Sequence, residues 1–221
     1  MNSNNGVWVI IPAYNEEKRI KNVIEKVKKH VSNIVVVDDG SSDNTYDVSL
    51  SCGVYVLKHI INLGKGGAVK TGCEFVLEKN GKFVVLIDSD GQHDADEIPD
   101  FLEALESVDI VFGYRKFNET MPFVLKFGNG AINLVIKKLY GMDLRDTQSG
   151  YRAFRADVYE KIKWKANDYT IESEMIANVG KKHLKYKEIP IKTIYSDKYK
   201  GTTIFDGLKI VMNMILWKLK K

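Results

Sequence analysis

The chain has 221 residues, of which 44% are hydrophobic and 28% charged, so it is large and apolar enough to fold around a core. This composition excludes a disordered or fibrous protein, and no stretch of about 18 apolar residues is present to span a membrane. The net charge of +4 is uneven, because residues 181–221 hold eleven lysines and three acids, a local charge of +8 that leaves −4 elsewhere. The basic end indicates an anionic partner, either phospholipid or nucleic acid.

The N-terminus and the two cysteines bear on the compartment. Polar residues 1–6 lead straight into the apolar Val7–Ile11, without the basic and apolar segments of a signal peptide, so we expect a cytoplasmic protein. Cys52 and Cys73 belong to no Cys-x-x-Cys pair, which makes a disulfide scaffold or a zinc finger a poor interpretation. Both are predicted to be reduced packing residues.

The first half alternates between short β-branched runs and helical periods. The runs that read as buried strands are Val7–Ile11, Ile34–Val37, Val54–Leu57, Phe83–Ile87 and Val108–Phe112. Between them, apolar residues recur at helical spacing over 20–31, 69–77 and 98–105. This alternation predicts an α/β fold with a mainly parallel sheet covered by helices on both faces, and ligands then bind beyond the carboxyl ends of the strands.

The second half has a different pattern. It predicts a long helix through Phe127–Leu139, a loop at Gly141–Gly150 and helices near 157–162 and 171–179. Two strands, 185–189 and 191–195, are then predicted to be joined at Pro190. Because no repeat or linker interrupts the chain, we interpret residues 1–221 as one domain whose second half adds a lid or acceptor wall.

Residues 59–69 resemble two known phosphate-binding loops, but their glycine spacing excludes both. A Walker loop ending at Lys65 would need glycine at His59 and a hydroxyl residue at Gly66, and a dinucleotide fingerprint would need glycine at Val69. The segment 62–67 still offers backbone N–H groups, a helix N-terminus and a lysine. An ordinary, closely packed helix entry is an equally good interpretation.

Paired acids follow a buried strand at Asp88-Ser89-Asp90. Two carboxylates two residues apart project to the same side, and Gln92 continues the spacing with a neutral oxygen. Oxygen ligands favour Mg²⁺ or Mn²⁺. A solvated acidic turn is the alternative, and His93 beside the pair is interpreted as a hydrogen-bonding loop residue.

Two further segments end strands in the same way. Val37-Asp38-Asp39-Gly40-Ser41 places two acids where a helix-capping turn would explain one. Pro12-Ala13-Tyr14-Asn15-Glu16 ends the first strand and opens the first helix. In this order and spacing, these segments together with Asn62-x-Gly64-Lys65-Gly66 and Asp88-x-Asp90 resemble family 2 glycosyltransferases of the GT-A fold. The segment Asp146–Phe154 resembles the acceptor-side motif of the dolichyl-phosphate mannose and glucose synthases.

The resemblance implies a role for each matching residue. The donor nucleotide sugar would be held by Pro12, Tyr14, Glu16, Val37, Asp39, Lys65, Asp88, Ser89 and Asp90. Asp88, Asp90 and Gln92 would ligate Mg²⁺ or Mn²⁺. Asp90, Arg115 and Lys198 would act at the departing diphosphate. The acceptor side would contain Asp146, Gln148 and Ser149. Glu172 and Glu174 share a helix and could face the cleft, with a solvated helix face as the equal alternative, and Glu174 is added to the acceptor side. A lysine of the family falls at Ile204, so loop closure over the diphosphate would depend on Lys200.

The implied activity is inverting transfer of a hexose, mannose or glucose, from a GDP- or UDP-sugar to a polyprenyl phosphate. The implied halves are 1–117 for the donor and 118–200 for the acceptor. A dianionic phosphate acceptor needs no general base, whereas a hydroxyl acceptor would need one, for which Asp146 or Glu174 would be the candidates. A hydroxyl-directed glycosyltransferase and a non-catalytic nucleotide-sugar-binding module remain the alternatives.

Residues 201–221 predict a basic amphipathic helix. At 100° per residue, one apolar face is formed by Ile204, Leu208, Val211, Met212, Ile215 and Leu219, with Phe205 and Leu216 at its border. Such a helix suits the headgroup region of an anionic membrane, so we expect a peripheral protein on the cytoplasmic face and no nucleic-acid partner. A helix packed on the core or in a dimer interface is the alternative.

Overall fold

The computed structural model describes residues 6–115, 123–168, 170–192 and 204–219, with 123–129, 131, 204–208 and 210 described by backbone only. A seven-stranded sheet runs through these ranges in the order β3-β2-β1-β4-β6-β5-β7. Its strands are β1 (Val7–Ala13), β2 (Asn33–Asp38), β3 (Tyr55–Lys58), β4 (Phe83–Leu86), β5 (Ile110–Arg115), β6 (Arg152–Arg155) and β7 (Tyr186–Ile191). All neighbours are parallel except β6, which is antiparallel to both β4 and β5. The predicted mainly parallel α/β sheet is confirmed.

Eight α-helices are described around the sheet. They are α1 (Ile20–Val27), α2 (Thr45–Ser51), α3 (Lys65–Glu78), α4 (Ile98–Ala104), α5 (Phe123–Tyr140), α6 (Tyr159–Ile162), α7 (Ile171–Lys181) and α8 (Ile204–Leu219). Along β1, Trp8 and Ile10 join the core cluster shared with α3, α5 and α7, whereas Val9 and Ile11 join the cluster shared with α1 and α4. Successive strand residues point to opposite faces, so an unbroken apolar run is what a strand with a core on each side requires.

Two strands differ from the prediction. The predicted break at Pro190 is wrong, because β7 continues through Pro190 opposite Tyr114 of β5 and ends at Ile191. Residues 193–195 of the second predicted strand lie outside the described residues. Because β7 pairs only with β5 among the described strands, it lies at an edge, where proline is tolerated. No strand is predicted at Arg152–Arg155, yet β6 lies between β4 and β5 and brings the end of the segment 146–154 into the middle of the sheet.

Helix α8 packs on the core by one side and leaves the other side exposed. Met214 is fully buried, and its carbonyl oxygen accepts a hydrogen bond from the Tyr140 hydroxyl of α5 at 2.6 Å. Val211, which is predicted to lie on the apolar face that meets the membrane, packs partly against the core, as does Trp217. Met212, Ile215, Leu216 and Leu219 are 42–75% exposed. In the described part of the chain, no helix is long and apolar enough to cross a membrane.

Candidate functional site

The carboxyl ends of β1, β2 and β4 meet at one edge of the sheet. Ala13 of β1 lies opposite Asp38 of β2, and Ile10 lies opposite Leu86 of β4, so the segments that follow these strands emerge together. A small cleft at this edge is lined in part by predicted donor-side residues and in part by residues of the second half, namely Pro12, Lys65, Asp88, Gly150, Arg152 and Glu172. The two halves of the chain therefore share this cleft.

Asp39 organises the loop that leads into α3. Its carboxylate accepts hydrogen bonds from the backbone N–H groups of Leu63 (2.9 Å) and Gly64 (2.8 Å), and it lies 2.7 Å from His59 Nδ1. Val37 is fully buried in the core, and it lies opposite Pro12 of β1 and Leu57 of β3 within the sheet. The roles predicted for Asp39 and Val37 in nucleoside binding stay predictions.

Tyr14 and Glu16 follow β1 in different environments. Tyr14 is 49% exposed, whereas Glu16 is buried and its Oε2 accepts a hydrogen bond from Arg19 Nε at 2.6 Å. The Glu16 backbone N–H donates to Thr45 Oγ1 at the start of α2, which ties the first strand–helix turn to the second. The roles predicted for Tyr14 and Glu16 in nucleoside binding stay predictions.

Lys65, the first residue of α3, joins two carboxylates from distant parts of the sequence. Its Nζ lies 2.7 Å from Asp88 Oδ1 and 2.8 Å from Glu172 Oε1 on α7. Burial alone would lower the pKa of Lys65, but the two carboxylates raise it above its ordinary value, so the ammonium stays charged. For the acid Asp88, burial alone would raise the pKa, but the charge of Lys65 holds it below its ordinary value.

Asp90 and Gln92 form a tight turn beyond β4. Asp90 Oδ1 accepts a hydrogen bond from the Gln92 backbone N–H at 2.9 Å, and the intervening Ser89 is buried. His93 Nδ1 accepts from the Asp88 backbone N–H at 3.2 Å, and burial lowers the pKa of His93, which favours its neutral form. The predicted hydrogen-bonding role of His93 matches this geometry.

The residues at this turn fit a divalent cation. The described residues contain no group of three His, Cys, Asp or Glu side chains that could hold a metal by themselves. Asp88 and Asp90 nevertheless supply hard carboxylate oxygens two residues apart, and Mg²⁺ commonly takes one or two carboxylates with substrate phosphates as its other ligands. A cation bound together with a diphosphate is therefore compatible with this donor set.

Arg115 and Asp146 form a bidentate ion pair at the end of β5. Arg115 Nε lies 2.6 Å from Asp146 Oδ2 and Nη2 lies 3.1 Å from Oδ1. Asp146 also accepts from the backbone N–H groups of Arg115 and Gln148. Burial alone would raise the pKa of Asp146, but the hydrogen bonds and charge of Arg115 hold it below its ordinary value. Arg115, predicted to act at the donor diphosphate, is thus ion-paired with Asp146, predicted for the acceptor side.

The loop between Asp146 and β6 is held by a buried arginine. The Arg152 guanidinium donates to the backbone oxygens of Thr147 (3.2 Å), Ser149 (3.0 Å) and Glu172 (2.7 Å). Burial lowers the pKa of Arg152 to about 10, still well above neutral pH. Gln148 donates from Nε2 to Ser173 Oγ of α7 at 3.2 Å. No role is predicted for Arg152 from the sequence, although a cation between the apolar residues Tyr151 and Ala153 could have indicated a buried charge.

Glu174 holds the segment 164–168 rather than facing solvent. Its Oε2 accepts from the backbone N–H groups of Lys165 (3.0 Å) and Ala166 (2.9 Å). This segment lies against the start of α3, where Asn167 O accepts from Gly66 N–H at 2.9 Å. Of the two interpretations of residues 62–67, the structure therefore supports the closely packed helix entry, since the N–H groups of residues 63, 64 and 66 already have protein acceptors.

Lys198 and Lys200 lie outside the described residues, as does any loop closure that depends on them. The other predicted site residues are all described. Those brought to the shared cleft are Pro12, Lys65 and Asp88. Glu172, which was weighed as a cleft residue against a solvated helix face, also lines it, as does Gly150, for which no role is predicted.

Comparison with known proteins gives a consistent picture. The model of glycosyl transferase family 2 matches residues 8–163. A UDP-N-acetylglucosamine–dolichyl-phosphate N-acetylglucosaminyltransferase of Methanococcus voltae is 34% identical over 97% of this chain and 97% of its own length. A dolichol-phosphate mannosyltransferase of Pyrococcus furiosus is 30% identical over 96% of this chain and 64% of its own.

The solved structures add information on the fold. Glucosyl-3-phosphoglycerate synthase of Mycobacterium tuberculosis, in complex with Mn²⁺, UDP and phosphoglyceric acid, superposes with a TM-score of 0.73 at 18% identity. The match covers 96% of this chain and 78% of that chain. The predicted GT-A fold is confirmed.

Proposed function

Because the chain belongs to glycosyl transferase family 2, we propose that it is an inverting enzyme that transfers a hexose from a GDP- or UDP-sugar to a polyprenyl phosphate. Mannose and glucose are the sugars expected from the sequence, and the name of the relative from Methanococcus voltae adds N-acetylglucosamine to the donors worth testing. The names of two relatives, which include dolichyl or dolichol phosphate, support this class of acceptor.

The observation that carries the choice of acceptor is the state of the two candidate bases. Asp146 is saturated by Arg115 and by two backbone N–H groups, and its lowered pKa makes it a weak base. Glu174 is engaged by two backbone N–H groups. A phosphate acceptor, with a second pKa of about 6, is already largely dianionic near neutral pH and needs positioning rather than deprotonation.

The leaving group makes the opposite demand, because a departing nucleoside diphosphate gains negative charge. Arg115, oriented by Asp146, would offer a positive charge there, and Asp88, Asp90 and Gln92 would hold a Mg²⁺ or Mn²⁺ that supplies Lewis-acid stabilisation. Lys198 is retained as a further cation of the proposal. The Mn²⁺ and Mg²⁺ complexes of the mycobacterial synthase support a divalent ion in this fold.

The acceptor class is tested by matched lipid substrates. The full chain is incubated with Mn²⁺, a labelled donor (GDP-mannose, UDP-glucose or UDP-N-acetylglucosamine) and either polyprenyl phosphate or the free polyprenol. We expect an organic-extractable, mild-acid-labile product with the phosphate and none with the alcohol. Equal transfer to the alcohol, or no transfer from any donor to either lipid, would contradict the proposal.

The metal ligands are tested with Asp90→Asn. Loss of one carboxylate should lower metal-dependent transfer by about a hundredfold or more, while the circular dichroism spectrum stays unchanged. Asp100→Asn, which removes an exposed acid on α4, is the matched control and should retain activity. Undiminished transfer by Asp90→Asn, or by the native chain in EDTA, would refute the assignment.

We also propose that α8 meets the cytoplasmic surface of the membrane that contains the acceptor's polyprenyl tail. Its exposed apolar residues Met212, Ile215, Leu216 and Leu219 fall within an arc of about 100° of the helix, on the side away from Met214. The excess of eleven lysines over three acids in residues 181–221 would contribute attraction to anionic headgroups.

A further inference from the structure

Four charged side chains meet where the two halves of the chain share a cleft. Lys65 lies between Asp88 and Glu172, at 2.7 and 2.8 Å from their nearest oxygens. The Arg152 guanidinium, which is buried nearby, donates to the backbone oxygen of Glu172. Two cations and two anions balance, so the cluster carries no net charge.

Glu172 is the member of this cluster that the reaction chemistry leaves unexplained. Glu172 is only 6% exposed, and its Oε2 has no hydrogen-bond partner among the described residues. A buried carboxylate with an unsatisfied oxygen costs free energy, and ion pairs of this kind are a weak source of stability. The ion pair that Glu172 forms is with Lys65, and Lys65 in turn forms an ion pair with Asp88.

We propose that Glu172 is a positioning residue that acts through Lys65 on Asp88. The four-carbon stem of a lysine is flexible, and an ammonium held by a single carboxylate can swing. A second carboxylate, fixed on α7, confines the ammonium to one place and thereby confines Asp88 to one orientation at the end of β4. The inference rests on the proposed function, because the orientation of Asp88 matters to donor binding.

The first test is Glu172→Gln, which keeps the shape of the side chain and removes its charge. Binding of UDP and of GDP, each with Mn²⁺, is measured by titration calorimetry on the full chain. We expect the affinity to fall by about tenfold, a typical effect of losing a residue that orients a ligand, with little change in melting temperature. Glu160→Gln, which removes an exposed carboxylate on α6, is the matched control.

The second test asks whether Glu172 acts through Lys65. Lys65→Met and the double variant are measured beside Glu172→Gln, and the double variant should bind no more weakly than Lys65→Met alone. A residue with an independent structural role would instead give additive losses. If Glu172→Gln does not fold, Glu172→Asp takes its place, because it keeps the charge but shortens the reach and should also weaken binding.

The outcomes separate the two proposals. Nucleotide binding by the native chain with unchanged binding by the folded Glu172 variant would overturn this inference and leave the proposed function standing, and additive losses would do the same. Failure of the native chain to bind either nucleotide with Mn²⁺ would overturn both.

Discussion

Gly150 lies so close to the charged cluster that it has no room for a side chain. A Cβ built on it would lie 2.7 Å from Lys65 Nζ and 2.7 Å from Asp88 Oδ2. Its φ is outside the left-handed region, so alanine would be acceptable to the backbone and the conflict is one of space alone. This glycine of the second half therefore sets how closely that half approaches the donor-side acid.

We expect Gly150→Ala to weaken Mn²⁺-dependent nucleotide binding by about tenfold, because the added methyl group must displace Lys65 or Asp88. Overpacking of this kind costs about 1–3 kcal/mol of stability. Calorimetric titration and thermal unfolding measure the two effects. Gly130→Ala on α5 is the control, since its Cβ would meet no atom within 4 Å and a helical alanine should be neutral or slightly stabilising. Equal affinities for the two variants would contradict this account.

At the residue scale, candidate site residues could be identified from the sequence, whereas the side chains with which they form ion pairs could not. Asp88 and Asp90 could be singled out because they follow a buried strand, and the end of an apolar run can be located in the sequence. Arg115 was indicated only by the family resemblance. The pairing of Arg115 with Asp146, and of Lys65 with Glu172, depends on the order of strands in the sheet. No local pattern encodes that order, so the contact between Glu172 and Lys65 could not be predicted.

At the scale of elements, the segment 164–168 joins α8 to the start of α3. Lys209 of α8 lies 2.7 Å from Asp168 Oδ2, while the neighbouring Asn167 accepts from Gly66 of α3. Asp168 Oδ1 also accepts from Thr170 N–H and Oγ1 just before α7. Burial alone would raise the pKa of Asp168, but the hydrogen bonds from Lys209 and Thr170 lower it to about 2.

This shift predicts a pH-dependent contribution of Asp168 to stability. A carboxylate with a depressed pKa in the folded state stabilises above its unfolded pKa of 3.8, and the contribution disappears as the pH falls through about 2. Because the Asp168 side chain is 47% exposed, we expect at most about 1 kcal/mol. Urea unfolding of Asp168→Asn should therefore differ from that of the native chain above about pH 4 and converge with it near pH 2. A difference that does not depend on pH would count against the ion pair, and Asp100→Asn serves as the control.

Elements with a strong periodicity were predictable, and those defined by their neighbours were not. The strands β1, β2 and β4 follow from apolar runs that need a core on both faces. Strand β6 has only four residues, with an arginine at each end. It is a strand because it pairs with the neighbouring edges of both β4 and β5. In α8 the sequence shows apolar residues around much of the helix, and only packing against Tyr140 decides that Met214 is inside.

For the molecule as a whole, the uneven charge and the exposed side of α8 bear on the same question. A chain with a basic C-terminal segment attached to an acidic body has a preferred orientation near an anionic surface. The exposed apolar residues of α8 would add hydrophobic contact at that surface. The contact between Lys209 and Asp168 connects α8 to the segment that packs on α3, so docking of α8 would bring the donor edge of the sheet near the membrane.

Membrane docking is tested with a variant that leaves the buried side of α8 intact. Met212→Gln combined with Leu219→Gln replaces two side chains that are 60% and 75% exposed, so folding should be unaffected. Burying such side chains is worth about 1.5–3 kcal/mol each, and even partial insertion makes a loss of about tenfold in binding to anionic liposomes the expected result. Leu50→Gln with Leu77→Gln, on α2 and α3, removes two other exposed leucines as a matched control. Co-sedimentation at low salt measures the bound fraction, which should fall at high salt because the lysines are screened. Equal binding by both double variants, or no binding by the native chain, would show that α8 is structural.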